Sequence, residues 1–192
     1  MKRSPCPHLI IVSGANGSGK TTFAQRYVAQ QHLHFINADI IATSLNPTNI
    51  GAVKIQAGKQ FFSQLDTHLH SHHSFAIEST LSGQYLIKVI HKARKLGFLI
   101  KIIYLFLDDP SINIARVQTR VLAGGHSIPE VDIIRRFHRS KYLFWHTYRL
   151  LCDDWQLFYN ADTLLELVAV GNDTLDILND HLFQLFLKGL KP

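Results

Sequence analysis

The sequence predicts an α/β domain with a mainly parallel sheet, helices flanking it and a helical lid. Three features lead there: short apolar runs alternating with helical stretches, a glycine-rich turn directly behind the first apolar run, and acidic residues just past later runs. The chain has 192 residues, 46% of them hydrophobic, enough for one sizeable core and few for two, so residues 1–192 are expected to form one domain.

Leu9-Ile10-Ile11-Val12 reads as the first buried strand, and Phe23, Ala24, Tyr27 and Val28 then recur at helical spacing. His34-Phe35-Ile36-Asn37 is a second strand ending at Asp39, followed by a turn at Asn46-Pro47. Ile55, Phe62, Leu65 and Leu69 predict a helix over about 51–69. Ser74-Phe75-Ala76-Ile77 gives a third strand ending at Glu78; a helix N-capped by Ser82 should run to Lys95, with Gly97 as its stop. Residues 101–107 form a strong fourth strand, and Pro110 opens the next helix at a position proline favours.

That helix holds Arg116 and Arg120 and stops at Gly124-Gly125-His126-Ser127-Ile128-Pro129. A basic helix with Arg135, Arg136, Arg139 and Lys141 follows, so the segment of about 116–141 is expected to act as a lid. His126 stands out within it, although a loop histidine more often caps a helix. Strands over about 155–159 and 165–170 and a helix over about 175–187 complete the pattern.

Gly14-Ala15-Asn16-Gly17-Ser18-Gly19-Lys20-Thr21 has the spacing of a phosphate-binding P-loop, placed between a strand and a helix as that loop requires. Its glycines let backbone N–H groups turn toward phosphate oxygens, Lys20 supplies a mobile positive charge to the β/γ-phosphates, and the Thr21 hydroxyl suits magnesium. With Thr22 these residues form the expected site for ATP and Mg²⁺.

Open α/β sheets bind ligands beyond the carboxyl ends of their strands, where Asp39, Glu78 and Asp108 should share a rim with the P-loop. A phosphoryl transfer needs a carboxylate to align an acceptor hydroxyl and take its proton, and Asp39 and Glu78 suit that work in type and place; helix N-capping is the plain alternative. Arg116, Arg120, Arg136 and Arg139, on two helices joined by a Gly-Gly hinge, could close over the phosphates and stabilise transition-state charge; a solvated basic helix face is the plain alternative.

Taken together, Gly14 to Thr21, Asn37-Ala38-Asp39, Glu78-Ser79-Thr80-Leu81-Ser82-Gly83, Arg116 to Arg120, the Gly124 to Pro129 segment and Arg136-Phe137-His138-Arg139-Ser140 resemble the zeta-toxin-like family of P-loop kinases over roughly residues 8–162. The chain is most similar to the short bacterial members described as predicted ABC-type ATPases. The resemblance implies an ATP-dependent kinase acting on a small acceptor such as the nucleotide sugar UDP-N-acetylglucosamine, with Lys20 and Thr21 on ATP and magnesium and Asp39 as general base. It further implies that Glu78, Thr80 and Arg139 line the acceptor site, that Arg116, Arg120 and Arg136 act on the migrating phosphoryl group, and that Asn160 lies near the adenine. An inhibitory antitoxin is the partner protein it implies.

Two other readings share some of these residues. Leu81-Ser82-Gly83-Gln84 and Asp108-Asp109-Pro110 mimic an ABC-type motor, although one glycine of the signature is missing and Asp109 stands where a glutamate is expected. A polynucleotide kinase or nucleic-acid binder would use Phe137, Tyr142, Phe144, Trp145 and Tyr148 as stacking platforms, but the helical spacing of Phe137, Phe144 and Tyr148 favours core packing.

The net charge of +6 suits polyanionic ligands, and no dense Lys/Arg run marks a nucleic-acid stripe. His68, His70, His72 and His73 invite a metal reading, but they precede the third strand, at the rim opposite the phosphates. Cys6 and Cys152 are too far apart for a metal motif and read as reduced thiols. The apolar run after Lys2 and Arg3 is too short for a signal peptide, and the stretch over 96–107 is broken by Gly97 and Lys101, so a cytoplasmic protein without a membrane span is expected.

Overall fold

A computed structural model describes residues 6–125, 127–161, 165–188 and 190. His126, singled out within the lid segment, lies outside the described residues. β1 (His8–Ser13) sits inside the sheet because its apolar residues serve two cores. Ile10 and Val12 pack with Phe23, Ala24 and Tyr27 of α1 (Lys20–Gln31), while Leu9 and Ile11 join a larger cluster on the other face. Apolar residues at consecutive positions are what a strand covered on both faces requires.

β3 (Phe75–Ser79) and β4 (Leu99–Phe106) flank β1 in parallel register; β2 (His34–Ile36) lies outside β3, and β5 (Asp154–Asn160) outside β4, also parallel. β6 (Leu165–Gly171) and β7 (Leu175–Ile177) are added antiparallel, giving the order β2-β3-β1-β4-β5-β6-β7 among the described residues. The mainly parallel α/β architecture expected from the sequence is therefore the one observed. Ser13 pairs with Ser79 and Tyr104, and Ile36 with Ile77, so the P-loop and the segments following β2, β3 and β5 meet at one rim.

Six further α-helices occupy the described residues: α2 (Ala38–Leu45), α3 (Lys54–Ser71), α4 (Tyr85–Lys95), α5 (Pro110–Leu122), α6 (Glu130–His146) and α7 (Asp180–Lys188). The larger core receives Phe61, Leu65 and Leu69 from α3, Leu86 and Ile90 from α4, Phe144 from α6 and Phe183 and Phe186 from α7. Phe137 and Tyr148 are buried as well, so these aromatics are packed rather than presented to solvent. Among the described residues no helix is long and apolar enough to cross a membrane.

Three segments depart from the sequence expectations. Residues 38–45, given no element above, form α2, because the Asn37 side chain leaves the strand and its Oδ1 accepts the N–H groups of Asp39 (2.7 Å) and Ile40 (3.1 Å). Ser82 does not cap a helix: its hydroxyl pairs with Thr80 Oγ1 (2.8 Å), and α4 starts at Tyr85. The run expected as one closing helix divides, since Leu175–Ile177 pairs with β6 and Asn179 Oδ1, accepting from the Leu182 N–H (3.0 Å), caps the shorter α7.

α6 is anchored through Ile133, Phe137, Ser140, Lys141, Leu143 and Phe144, all buried. Ser140 Oγ pairs with the fully buried Tyr104 hydroxyl (2.8 Å) and donates to the Thr80 carbonyl. Lys141 is 1% exposed; its Nζ lies 5.1 to 5.6 Å from the rings of Phe106, Phe137 and Phe186 and finds no hydrogen-bond partner among the described residues. Burial pulls its pKa down to about 8, with Asp108 pulling it back up. The unfolded chain thus binds more protons than the folded one between that value and the ordinary lysine range, so stability should rise with pH across this window. Lys141→Met should flatten that rise and, by relieving an unsatisfied buried group worth about 1 kcal/mol or more, lift Tm by about 2–4 °C, as thermal melts at pH 7 to 10 would show. An unchanged pH profile in the variant would contradict the account.

Candidate active site

The loop between β1 and α1 takes a conformation that its glycines permit: Gly17 and Gly19 have φ of +79° and +86°. A Cβ at Gly17 would come within 2.5 Å of the Asn113 carbonyl oxygen, and one at Gly19 within 2.1 Å of Asn160 Nδ2. Two asparagines clamp the loop from outside. Asn113 on α5, fully buried, donates to the Asn16 carbonyl (2.6 Å), and Asn160 at the end of β5 donates to the Ser18 carbonyl (2.8 Å).

Gly19 stands at the N-cap of α1 with no side chain bonding the first N–H groups, leaving the positive end of the helix dipole open to the rim. Ser18 Oγ is buried without a hydrogen-bond partner among the described residues. Above the loop lies a cleft of about 290 Å³ lined by Asn16, Gly17, Gly19, Lys20, Thr21, Thr22, Asp39, Glu78, Arg116 and Arg120. Unengaged donors, a helix terminus and three cations fit a phosphate chain. Gly14 and Ala15 form the start of the loop, and the Ala15 carbonyl accepts from Lys20 Nζ (2.8 Å).

Glu78 lies within β3 rather than past it, and its carboxylate binds the loop together. Oε1 accepts from the Thr21 hydroxyl (3.1 Å) and lies 4.0 Å from Lys20 Nζ, while Oε2 accepts from Asn37 Nδ2 (2.6 Å). Burial raises the Glu78 pKa above the ordinary carboxylate range, whereas Lys20 and the Thr21 hydroxyl pull it down. Burial likewise lowers the Lys20 pKa; Glu78 and Asp39 push it back up, and Arg120 and Arg136 add to the lowering. Thr21 Oγ1 and the Glu78 carboxylate behind it are hard oxygen donors of the kind magnesium selects.

Asp39 occupies the first turn of α2 and lines the P-loop cleft together with Lys20 and Thr21. It also borders two adjoining spaces. One is a small cleft of about 160 Å³ shared with Asn16, Glu78, Thr80, Tyr85 and Arg136. The other is a wider groove along α2.

The arginines divide by position. Arg116 and Arg120 line the P-loop cleft from α5, and Arg116 donates to the Asn160 carbonyl (3.0 Å). Arg136 reaches across from α6 and donates to Asn16 Oδ1 (3.1 Å). Arg139 is exposed on α6 and lines none of the clefts that border Asp39. Thr80 borders the small cleft beside Tyr85, whose hydroxyl meets Ser79 Oγ (3.2 Å). Asn160 also borders a second recess of about 290 Å³ with Phe23, Arg26 and Arg116, which Asp39 does not line.

Three contributors carried no assigned role in the sequence. Asn37 had a readable signal, an asparagine directly before Ala-Asp at a helix start; Asn113 and Tyr85 had none, because only the packing of distant elements brings them to the rim. The acidic pair after β4 is engaged locally: Asp109 caps α5 by accepting the Ser111 N–H (2.7 Å), and Asp108 accepts from the Tyr159 hydroxyl (3.1 Å). Among the described residues no set of three or more His, Cys, Asp or Glu gathers for a metal; His68 instead stacks on His34 with ring centroids 4.0 Å apart. Cys6 and Cys152 are free thiols.

Comparison with known proteins agrees with this architecture. An uncharacterized protein of Haemophilus influenzae is 36% identical over 127 residues, which cover 66% of this chain and 89% of that protein. A complex of AvrRxo1-ORF1 and AvrRxo1-ORF2 with ATP superposes with a TM-score of 0.76 at 15% identity, covering 97% of this chain and 65% of that one. This chain therefore spans just under two thirds of the AvrRxo1 chain it matches. The PezAT toxin-antitoxin system of Streptococcus pneumoniae gives a TM-score of 0.71 at 16% identity, over 97% of this chain and 80% of that one. At such identities the likeness is one of fold, a P-loop kinase-like sheet with its flanking helices. The AAA domain family matches residues 9–138, well over half of the chain and the span that holds the P-loop, Asp39, Glu78, Arg116, Arg120 and Arg136, and the chain belongs to that family.

Proposed function

We propose that this chain is an ATP-dependent kinase that transfers the γ-phosphoryl group to a hydroxyl of a small acceptor. The observation supporting this reading is that Lys20, Thr21, Asp39, Arg116 and Arg120 line one cleft, with further space beyond Asp39. A nucleotide binder with no transfer chemistry has no need of a carboxylate that lines both the phosphate cleft and adjoining spaces with room for a second ligand.

In this reading the P-loop backbone and the N-terminus of α1 hold the phosphates, Lys20 lies against the β/γ-phosphates, and Thr21 supplies the protein ligand to magnesium. Magnesium supplies charge neutralisation on the phosphate oxygens. Asp39 accepts the proton of the acceptor hydroxyl as its oxygen forms a bond to the γ-phosphorus and the bridge to the β-phosphate breaks, so ADP leaves with the bridging oxygen. Arg116, Arg120 and Arg136 face the charge spread over the transferring group. Arg136 already reaches the loop from an anchored helix, so the lid role of residues 116–141 requires little movement of α6. Glu78 acts behind Thr21 and Lys20, and Thr80 with Tyr85 borders the small cleft beside Asp39, close to the reacting hydroxyl. The resemblance to zeta-toxin-like kinases makes UDP-N-acetylglucosamine the first acceptor to test, and the PezAT likeness supports an antitoxin-type partner protein. A cytoplasmic setting, where ATP is plentiful, accords with this chemistry.

Incubation with labelled ATP, magnesium and a panel of nucleotide sugars, nucleosides and coenzyme precursors should yield a phosphorylated product by mass; free phosphate alone would sink the kinase. Lys20→Ala should abolish nucleotide-dependent turnover. Asp39→Asn should leave ATP binding nearly intact while lowering transfer by about 10²-fold or more, the scale of general-base catalysis. Wild-type transfer in that variant would remove Asp39 from the mechanism. Glu78→Gln should raise the magnesium concentration for half-maximal activity by about 10-fold or more, as outer-sphere changes at metal sites do, and an unshifted magnesium titration would place Glu78 outside this role. Arg120→Ala or Arg136→Ala should depress turnover by about 10²-fold with a far smaller change in ATP affinity, read from initial rates and equilibrium binding.

A further inference from the structure

The wider groove beside Asp39 has a volume of about 670 Å³ and runs between α2 and the end of α5. That size falls in the range of roughly 300–1,000 Å³ typical of small-molecule sites. At the end near the P-loop it is polar, with Asp39 and Arg120; along its length Ile40, Pro47 and Ile50 present aliphatic surface. Ile40 is 44% exposed, a large apolar side chain on a helix face that contributes nothing to the core.

The polar groups along this wall are already engaged. Thr43 Oγ1 donates to the Asp39 carbonyl (2.9 Å) and Ser44 Oγ to the Ile41 carbonyl (2.8 Å). The Asn37 amide is committed on one side to the start of α2 and on the other to Glu78. Among the described residues lining the groove Arg120 is the single cation, and it lines the phosphate cleft as well. Thr21 and Thr22 line its P-loop end; a diphosphate lying along the groove beyond them and Arg120 would lose water beside Ile40, Pro47, Ile50 and the hydroxyls of Thr43 and Ser44, with no further cation among the described lining residues, a placement that anionic groups resist. An uncharged body would lose little and would bury Ile40 and the part of Ile50 that the core leaves uncovered.

Resting on the kinase reading for the role of Asp39, we propose that this groove is the acceptor subsite and that it takes an uncharged alcohol: the hydroxyl-bearing part stands at Asp39, and an apolar or flat-ring body lies against Ile40, Pro47 and Ile50. Nucleosides have this chemistry, and so do simple aliphatic alcohols; nucleotide sugars do not.

The test is equilibrium binding of uridine, adenosine, 1-hexanol and UDP-N-acetylglucosamine to the full chain loaded with magnesium and a non-hydrolysable ATP analogue, followed by phosphoryl transfer from ATP to the same four. A nucleoside or hexanol should bind at least 10-fold more tightly than the nucleotide sugar; which of the two binds better separates a flat-ring site from an aliphatic one. Thr43→Trp, which fills the groove from an exposed position, should remove that binding, and Ile40→Ser with Ile50→Ser should weaken it by about 10-fold or more, as loss of apolar contact in a pocket does. The affinity for the ATP analogue should stay within about twofold in both, which also shows that the variants fold. Tighter binding of the nucleotide sugar, or uncharged-ligand binding indifferent to these variants, overturns the subsite. Phosphorylation of the nucleotide sugar alone would refute the groove and keep the kinase, whereas groove-dependent binding without transfer to any acceptor would refute the kinase reading instead.

Discussion

The carboxylate of Glu78 is the contact on which the rim depends. It sits at the end of a buried parallel strand, where a lone anion would be costly, and it is held there by the Thr21 hydroxyl, the Asn37 amide and the Lys20 ammonium. Lys20 and Thr21 open α1, and Asn37 caps α2. One buried charge therefore fixes the first turn of α1, the start of α2 and the end of β3 relative to one another. Lys20 is correspondingly constrained: with Ala15 and Glu78 as its neighbours it is oriented before any phosphate arrives.

The loop itself is stiffened from two further sides. Asn113 and Asn160 each donate to a P-loop carbonyl, and the glycines at 17 and 19 are where those asparagine-bearing segments press closest. Their positive φ angles and their contacts are thus two expressions of one constraint. The Asn16 and Ser18 carbonyls turn to the asparagines and the Ser18 N–H to the Ala15 carbonyl (3.2 Å), while the first N–H groups of α1 take no side-chain cap, a preorganised arrangement of dipoles for a ligand of high negative charge.

α6 joins the core and the rim. Its apolar face is sealed by Phe137, Leu143 and Phe144, and its Ser140 ties Tyr104 of the central sheet to the Thr80 carbonyl. Tyr148, just beyond it, donates to the Gly83 carbonyl (2.5 Å). These bonds hold the segment after β3, where Leu81 is buried with φ of +51°, in a conformation that a leucine seldom adopts unaided. Thr80 and Tyr85 owe their place beside Asp39 to that restraint, as Arg136 owes its reach toward Asn16 to the anchored helix.

The sequence alone determined the parallel core and the phosphate loop, because both are local: a run of apolar residues buried on two faces, and a glycine spacing that dictates backbone shape over eight residues. Asp39 and the arginines of α5 were legible as candidates through their position behind predicted elements, but α2, the brief β7 and the true start of α4 were not. In those places one cap residue, one edge pairing or one hydroxyl already engaged decides between alternatives that periodicity leaves nearly equal. Only the tertiary structure decided that Glu78 faces Thr21 and Lys20, that Asn113 supports the loop from 97 residues away and that Arg136, rather than Arg139, meets Asn16. Such contacts depend on how distant elements pack, and no local pattern of residue types encodes the rotation of one helix face against another.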